Sequence, residues 1–553
     1  MYSIEDLERF YFQYQTDVMP NGISIEQFCL CNKVSYYIRK NNMGVFDKYL
    51  KKGGNKVDVY RPTTENFFIG SPEAESEATS TPITLDQFFE DYLDIFSQLN
   101  DEKFIVLGRK GSGKSAIGEH MFALAQGEPN LFCKFIKKPD IDVEHIVQIG
   151  KEQGYSIERS LLYKWIMLTH LLDLILQNQS AIEHPAIKFV KQFVDRNRGF
   201  IDIRKDEIRE TITKSGLTVG AEYLNRAVSA IGHREREIKG GRADFFKMLP
   251  NLELILNSIL KCDKNNQYIV IFDDLDIGYH TDNPNDIETT ADLLRMAKYF
   301  NVDFFARNGI DSKIFVLLRS DIAKSILYTA DMGKLLNSYS VELNWFEDIY
   351  RGDETKSLLR QFINKRISVN FNKAEYKIND KSDPWTSFVD EKSFSRKTGF
   401  KYVIDHTFYR PRDLILFFKD INTLKLELPL RQNDIRNVLL PRYVTAMIKD
   451  LKGEFSLRFC SYDIESTFRA LKRLTPRKPF MYDTLLELLI DEGFDNKKGD
   501  DMMQALFEYS LIGNYQQHNV RFKYREGGAE NIEMDKRDYF ILHYLLQAYF
   551  RHN

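Results

Sequence analysis

Apolar residues fall into two alternating patterns along the chain. Short unbroken runs at 103–107 (KFIVL), 131–136 (LFCKFI), 268–272 (YIVIF), 313–318 (KIFVLL) and 339–343 have the length and composition of buried strands. Stretches with helical spacing lie between them, at 85–99, from about 114, across 143–200, and at 243–261 and 286–300. Strands alternating with helices predict a parallel sheet in an α/β domain. The most apolar helix candidate, 161–176 (LLYKWIMLTHLLDLIL), is interrupted by Lys164, His170 and Asp173 and is too short to span a bilayer, so a buried core helix is expected. The 200–242 stretch is weakly patterned, with room for a small hairpin at 216–223.

The flanks read differently. Residues 4–16, 25–31 and 34–49 suggest three short helices with a tight turn at Asn32-Lys33, the outline of a helix-turn-helix unit. Residues 70–82 (GSPEAESEATSTP) are small, polar and acidic, and are expected to form a flexible linker. Residues 350–455 read as mostly helical. The end, 465–547, reads as helices plus a hairpin from Ile512-Gly513-Asn514 to Phe522-Lys523-Tyr524, consistent with a winged helix. The expected organisation is a helical module at 1–69, a linker at 70–82, an α/β core at 83–348, a helical lid at 349–460 and a winged-helix domain at 461–553.

With 553 residues, 43% hydrophobic and 28% charged, the chain has the composition of a multidomain globular protein. Its net charge of −3 excludes a global basic field, so any nucleic-acid surface must be local. Segment 33–61 is such a place: eight basic residues against two acids give +6. Arg39, Lys40, Lys48, Lys51 and Lys52 are candidate phosphate contacts, with Tyr36 and Tyr37 beside them. A protein-docking module with a solvated basic face is the alternative. The five cysteines are scattered, with only Cys29 and Cys31 close together, which argues against a disulfide framework or zinc site. No secretory leader pattern opens the chain, so a cytoplasmic protein is expected.

The sharpest signal is chemical. Gly108-Arg109-Lys110-Gly111-Ser112-Gly113-Lys114-Ser115 matches G-x-x-x-x-G-K-[ST], preceded by a strand and followed by a helix. A chance match anywhere in a chain of this length is on the order of 0.02, so the motif identifies a candidate ATP site. Glycines let backbone N–H groups turn inward towards phosphate, and the helix N-terminus favours the same anion. Lys110, Gly111, Ser112, Gly113, Ser115 and Ala116 would surround the phosphates. Lys114 would set its charge on the β and γ phosphates, and the Ser115 hydroxyl would reach Mg2+. The run Ile269-Val270-Ile271-Phe272-Asp273-Asp274-Leu275-Asp276 delivers acids at a strand end. Asp273 is the candidate on the magnesium side, and Asp274 would orient or deprotonate water. The third strand ends in Arg319-Ser320-Asp321 and would aim a polar group at the γ-phosphate; a salt-bridged strand end is the alternative.

Through FIVLGRKGSGKS, IVIFDDLD, IFVLLRSD, VELNW at 341–345 and Tyr409-Arg410-Pro411-Arg412-Asp413-Leu414, the chain resembles AAA-like P-loop ATPases, particularly STAND and KAP-type bacterial relatives found beside phage-defence genes. The resemblance covers roughly 85–547. It implies an ATPase core, a helical lid and a winged helix, with ATP controlling homo-oligomeric assembly and a separate effector protein as partner. It also implies a lid arginine that senses the γ-phosphate, with Arg412 the candidate and Arg410 an open neighbour. The sequence departs from AAA ATPases in one respect: no arginine lies between Arg319 and Arg351 to serve as a trans-acting finger. Arg295, Arg307 or a lysine would have to substitute, or hydrolysis would use none. The first segments, FYFQYQTD and ISIEQFCLCNKVSYYI, resemble small transposase helix-turn-helix domains, which implies nucleic acid as a partner.

Overall fold

Five strands form one parallel sheet in the order β2-β3-β4-β1-β5: β1 (Ile105–Gly108), β2 (Leu131–Lys137), β3 (Gln267–Asp273), β4 (Lys313–Arg319) and β5 (Ser340–Glu342). The computed structural model describes residues 62–79, 81–137, 158–178, parts of 184–191, 245–280, 283–346, 354–456, 458–517, 519–523 and 532–552. The expected helix-turn-helix, with Arg39, Lys40, Lys48, Lys51 and Lys52, lies outside the described residues, as does the 216–223 hairpin.

After their first residues, β3 and β4 are buried throughout, which is why they read as unbroken apolar runs. Helix Arg159–Gln177 packs on β3 and on helices Phe245–Cys262 and Pro284–Lys298, burying Trp165, Ile166, Leu168 and Leu172. Pro284–Lys298 begins with an Asn283 side chain that accepts from Asn285 N–H and a proline that needs no donor there. The register sets Gly108 beside Arg319 and Asp273 beside Lys137. Since β4 lies between β1 and β3, the motif loop and the acidic turn flank the end of β4, at the carboxyl edge where such sheets bind ligands.

A second core is built from helices Leu358–Lys373, Gly399–Asp405, Pro411–Phe417 and Leu440–Phe455 and continues without a break into the C-terminal segment. There, helices Ser461–Arg473, Tyr482–Asp491 and Asn496–Glu508 precede an antiparallel sheet of β6 (Ile512–Gln516), β7 (Asn519–Arg521) and β8 (Tyr539–Leu542), in the order β7-β6-β8, and then helix Tyr544–His552.

Two expectations fail. The 85–99 stretch is two short helices, Leu85–Phe88 and Ile95–Asn100. Asp91 stops a continuous helix, because its carboxylate accepts from the N–H groups of Ile95 (2.9 Å) and Phe96 (2.8 Å) and starts a new one. Nor is 70–82 a free linker, and 62–69 is part of the described unit rather than of the preceding module. Thr64 N–H donates to Leu426 O (2.9 Å), and Phe67 is buried edge-on against Phe371 (5.3 Å). Helix Ala74–Thr79 then lies against the helix Lys114–Gly127. Its Glu77 is buried and paired bidentately with buried Arg366, which also donates to Ile69 O (2.7 Å). The strap reads as linker because its small polar residues have no apolar period; a buried acid matched by an arginine almost 300 positions away leaves no periodic signal.

Removing one partner of a buried pair strands the other charge, at a typical cost of about 3–5 kcal/mol. Glu77→Ala should therefore lower the urea unfolding midpoint, followed by tryptophan fluorescence. An unchanged midpoint would mean that the strap is solvated and carries no load.

Candidate functional site

The motif loop leaves β1 and turns through Gly111 (φ +80°) and Gly113 (φ +102°), both in the left-handed region where side chains are disfavoured, before helix Lys114–Gly127 begins. Lys114 is buried and folds back on the loop, donating to Gly108 O (3.0 Å) and Arg109 O (3.2 Å). Burial pulls its pKa down to about 8; Asp273 opposes the fall and Arg319 adds to it. The buried Ser112 Oγ finds no hydrogen-bond partner among the described residues, while Trp345 Nε1 donates to Ser112 O (2.8 Å) and fixes the loop from β5's side. An ammonium resting on carbonyls and an orphaned hydroxyl suit a site that receives an anion.

Asp273 closes β3, 4% exposed, and Asp274 follows in the left-handed region (φ +55°). Burial, then Asp273, raises the Asp274 pKa, while Lys137 at 3.8 Å works against the rise. Glu119 is a residue that sequence reasoning missed. Its pKa too is raised, by burial and then by Asp273 and Asp274. The available signal was its spacing: Glu119 stands one helical turn after Ser115, on the same face. Asp276 is engaged elsewhere. It accepts from Arg319 Nη1 (2.8 Å), and Asp321 takes Nη2 (2.5 Å) and Nε (3.0 Å) of the same guanidinium. Burial opposes the charge on Arg319, but Asp321 and Asp276 outweigh it and hold its pKa above the ordinary arginine value. Arg319 thus lines the cavity with its donors committed to acids, the salt-bridged alternative of the two expected.

The lid meets the loop at Tyr409–Asp413. Arg412 N–H donates to Gly111 O (3.3 Å), and a Cβ on Gly111 would come within 2.9 Å of Arg412 Cβ. Asp450 pairs through one carboxylate oxygen with Lys110 (3.4 Å) and through the other with Arg412 (3.3 Å), and Arg412 Nε finds no hydrogen-bond partner among the described residues. Arg410 is different. It is 3% exposed, paired with Asp413 (2.8 Å) and Glu454 (3.5 Å), and donates to Lys110 O (3.0 Å). Of the two arginines, Arg410 is an anchor, and Arg412 borders the cavity.

That cavity, of about 650 Å³, joins Lys110 through Ala116, Asp273 and Asp274, Arg319 and Arg412. Aromatic and apolar side chains that sequence reasoning missed line the same cavity. Tyr92, Trp345 and Phe362 pack tilted or edge-on with ring centroids 5.8–6.5 Å apart, and Phe88 and Ile415 also line the cavity. A cavity that combines the motif loop and acids with aromatic side chains suits a mononucleotide. No group of three or more His, Cys, Asp or Glu residues able to hold a metal occurs among the described residues. Ser115 and Asp273 nonetheless fit Mg2+, which takes one or two protein oxygens and completes its shell with water and phosphate.

A parallel sheet with this loop on β1 and acids on β3 is the α/β fold of a P-loop NTPase, with a helical lid behind it. Residues 357–439, most of the lid, match the family described as FunZ-associated C-terminal helical domain. Among solved structures, the chain is similar to a Walker-type ATPase of Pyrococcus abyssi, at 11% identity over 84% of this chain and 95% of that one (TM-score 0.35). It is also similar to Cdc6p from Pyrobaculum aerophilum, at 10% identity over 82% and 92% (TM-score 0.23). No curated protein matches the chain significantly.

The depressed Lys114 pKa carries a stability consequence. Between about 8 and the ordinary lysine value of 10.5, the unfolded chain binds the proton that the folded chain has lost, so this group's contribution to stability rises with pH across that window. Below it, the buried charge costs on the order of 3 kcal/mol. Lys114→Met should raise the thermal midpoint of the ligand-free protein at neutral pH, with the gain vanishing towards pH 10.5. A lower midpoint at neutral pH would show that the ammonium is well compensated in the empty loop.

Proposed function

We propose that the chain is an ATP-binding and ATP-hydrolysing switch that holds nucleotide between the sheet edge and the helical lid. The observation that supports this best is the single cavity shared by Lys114, Asp273, Asp274 and Arg412. In this reading Lys114 leaves the Gly108 and Arg109 carbonyls for the β and γ phosphates, and Ser112 supplies a hydroxyl to the phosphate shell. Ser115 and Asp273 hold Mg2+, which when bound offsets the phosphate charge. Asp274, whose raised pKa makes it a better proton acceptor, takes the proton of the attacking water. Water attacks the γ-phosphorus, the bond to the β–γ bridging oxygen breaks, and ADP departs. Arg412 answers charge on the γ-phosphate, and the Asp450 pair with Lys110 and Arg412 rearranges as the lid responds.

The finer reading, an AAA-like or STAND-type switch in a cytoplasmic defence system that assembles with itself and a separate effector, rests on the motif resemblance. Nucleic acid read by the +6 segment at 33–61 remains part of this proposal.

Lys114→Ala should abolish tight binding of a fluorescent ATP analogue, and unchanged affinity would sink the site assignment. Asp274→Asn should bind ATP normally and hydrolyse it at least a hundredfold more slowly, the usual scale for losing a general base. Wild-type turnover in Asp274→Asn together with slow turnover in Glu119→Gln would move the role to Glu119.

A further inference from the structure

Helix Leu440–Phe455 brings two acids to the start of helix Pro411–Phe417. Asp450 and Glu454 stand four residues apart, about one helical turn, and so share a face. They meet the two arginines that flank Pro411: Glu454 pairs with Arg410 (3.5 Å) and Asp450 with Arg412 (3.3 Å). The two pairs are alike in sequence and opposite in setting. The side chains of Arg410 and Glu454 are each 3% exposed, and Arg410 is held further by Asp413 and by Lys110 O. The side chains of Arg412 and Asp450 are 21% and 18% exposed, and both line the nucleotide cavity.

The outer pair is also poorly matched. Asp450 Oδ2 lies within ion-pair range of Arg412 Nη1 but accepts no hydrogen bond, and Arg412 Nε, likewise shielded from solvent, donates none among the described residues. Asp450 Oδ1 meets Lys110 of the motif loop at 3.4 Å, longer than an ordinary charged hydrogen bond. One carboxylate is therefore shared by a cation of the loop and a cation of the lid, and satisfies neither in full. Shielded polar atoms without partners cost free energy, so such a contact is readily exchanged for a better anion.

A phosphate is that better anion. It can take a guanidinium through two parallel hydrogen bonds, which Asp450 does not provide here, and its charge repels the carboxylate already in place. We propose that Asp450 is a latch that holds Arg412 and Lys110 in the empty cleft and releases Arg412 only to the γ-phosphate of a nucleoside triphosphate. The latch rests on the ATP reading above and adds to it the residue that restrains the lid arginine. A diphosphate lacks the competing anion and leaves the latch closed, so Arg412 reports the γ-phosphate rather than nucleotide in general. Asp450 touches no reacting atom; it is a positioning residue for Arg412.

The test titrates the full chain with fluorescent ATP and ADP analogues in the presence of Mg2+. Wild type is compared with Asp450→Asn, Asp450→Glu, Arg412→Gln and the double variant Asp450→Asn, Arg412→Gln. Asp450→Asn keeps the size and removes the charge. It should bind the ATP analogue about fivefold more tightly, the scale of a partly exposed ion pair, and change ADP affinity by less than about twofold. Asp450→Glu keeps the charge and should retain wild-type affinities. In the Arg412→Gln background, most of the gain from removing the Asp450 charge should disappear. An equal gain for ATP and ADP would overturn the latch and reduce Asp450 to a general negative field. Weaker ATP binding in Asp450→Asn would also overturn it and make Asp450 a support of the lid, and a full gain without Arg412 would show that Arg412 is not the latched group. Failure of wild type to bind either analogue, or wild-type affinity in Lys114→Ala, would instead remove the ATP reading and the latch with it.

Discussion

The buried guanidinium of Arg410 is the interaction on which the cleft depends. It belongs to the lid, it is neutralised by the lid's Asp413 and Glu454, and its Nη1 also donates to the carbonyl of Lys110 in the motif loop. A buried charge of this kind is costly unless every neighbour is in place, so the geometry is close to all-or-none. Arg412, two residues on, inherits its position from that anchor: its backbone rests on Gly111, and its side chain meets Asp450 at the cavity wall. The glycine at 111 is required twice over, by its positive φ and by the lid pressed against it.

A second buried pair performs the same task on the other side. Glu77 and Arg366 bind the strap to the lid helix Leu358–Lys373, and the strap's helix rests on the motif helix. Three segments distant in sequence therefore enclose one cavity: the loop on the sheet, the lid, and the strap before the first strand. Lys137 stands where their charges meet, paired with Glu75 of the strap and 3.8 Å from Asp274. In the proposed cycle, a change in the strap would alter the electrostatics of the acid that handles water.

How much of this was legible depended on how each feature is encoded. The sheet could be read because buried parallel strands are unbroken apolar runs, and the motif loop because its glycines and lysine are contiguous. Asp273 and Asp274 followed from their place at a strand end. The strap could not be read that way, because Glu77 is explained only by Arg366, far off in the chain. The aromatic lining of the cavity was hidden for the same reason: Tyr92, Trp345 and Phe362 come from three segments. The motif resemblance made Arg412 the candidate and left Arg410 open, since two arginines on either side of Pro411 share their sequence context and differ in which way the helix start turns them. The 85–99 stretch misled because helical spacing was present while a single Asp91 side chain interrupted it.

Hydrogen exchange of backbone amides in the presence and absence of Mg-ATP tests the central claim, that loop, lid and strap form one nucleotide-dependent unit. The account predicts that residues 110–115, 410–415 and 72–79 gain protection together, and that all three lose the gain in Lys114→Ala. Protection confined to 110–115, with lid and strap unchanged, would contradict it.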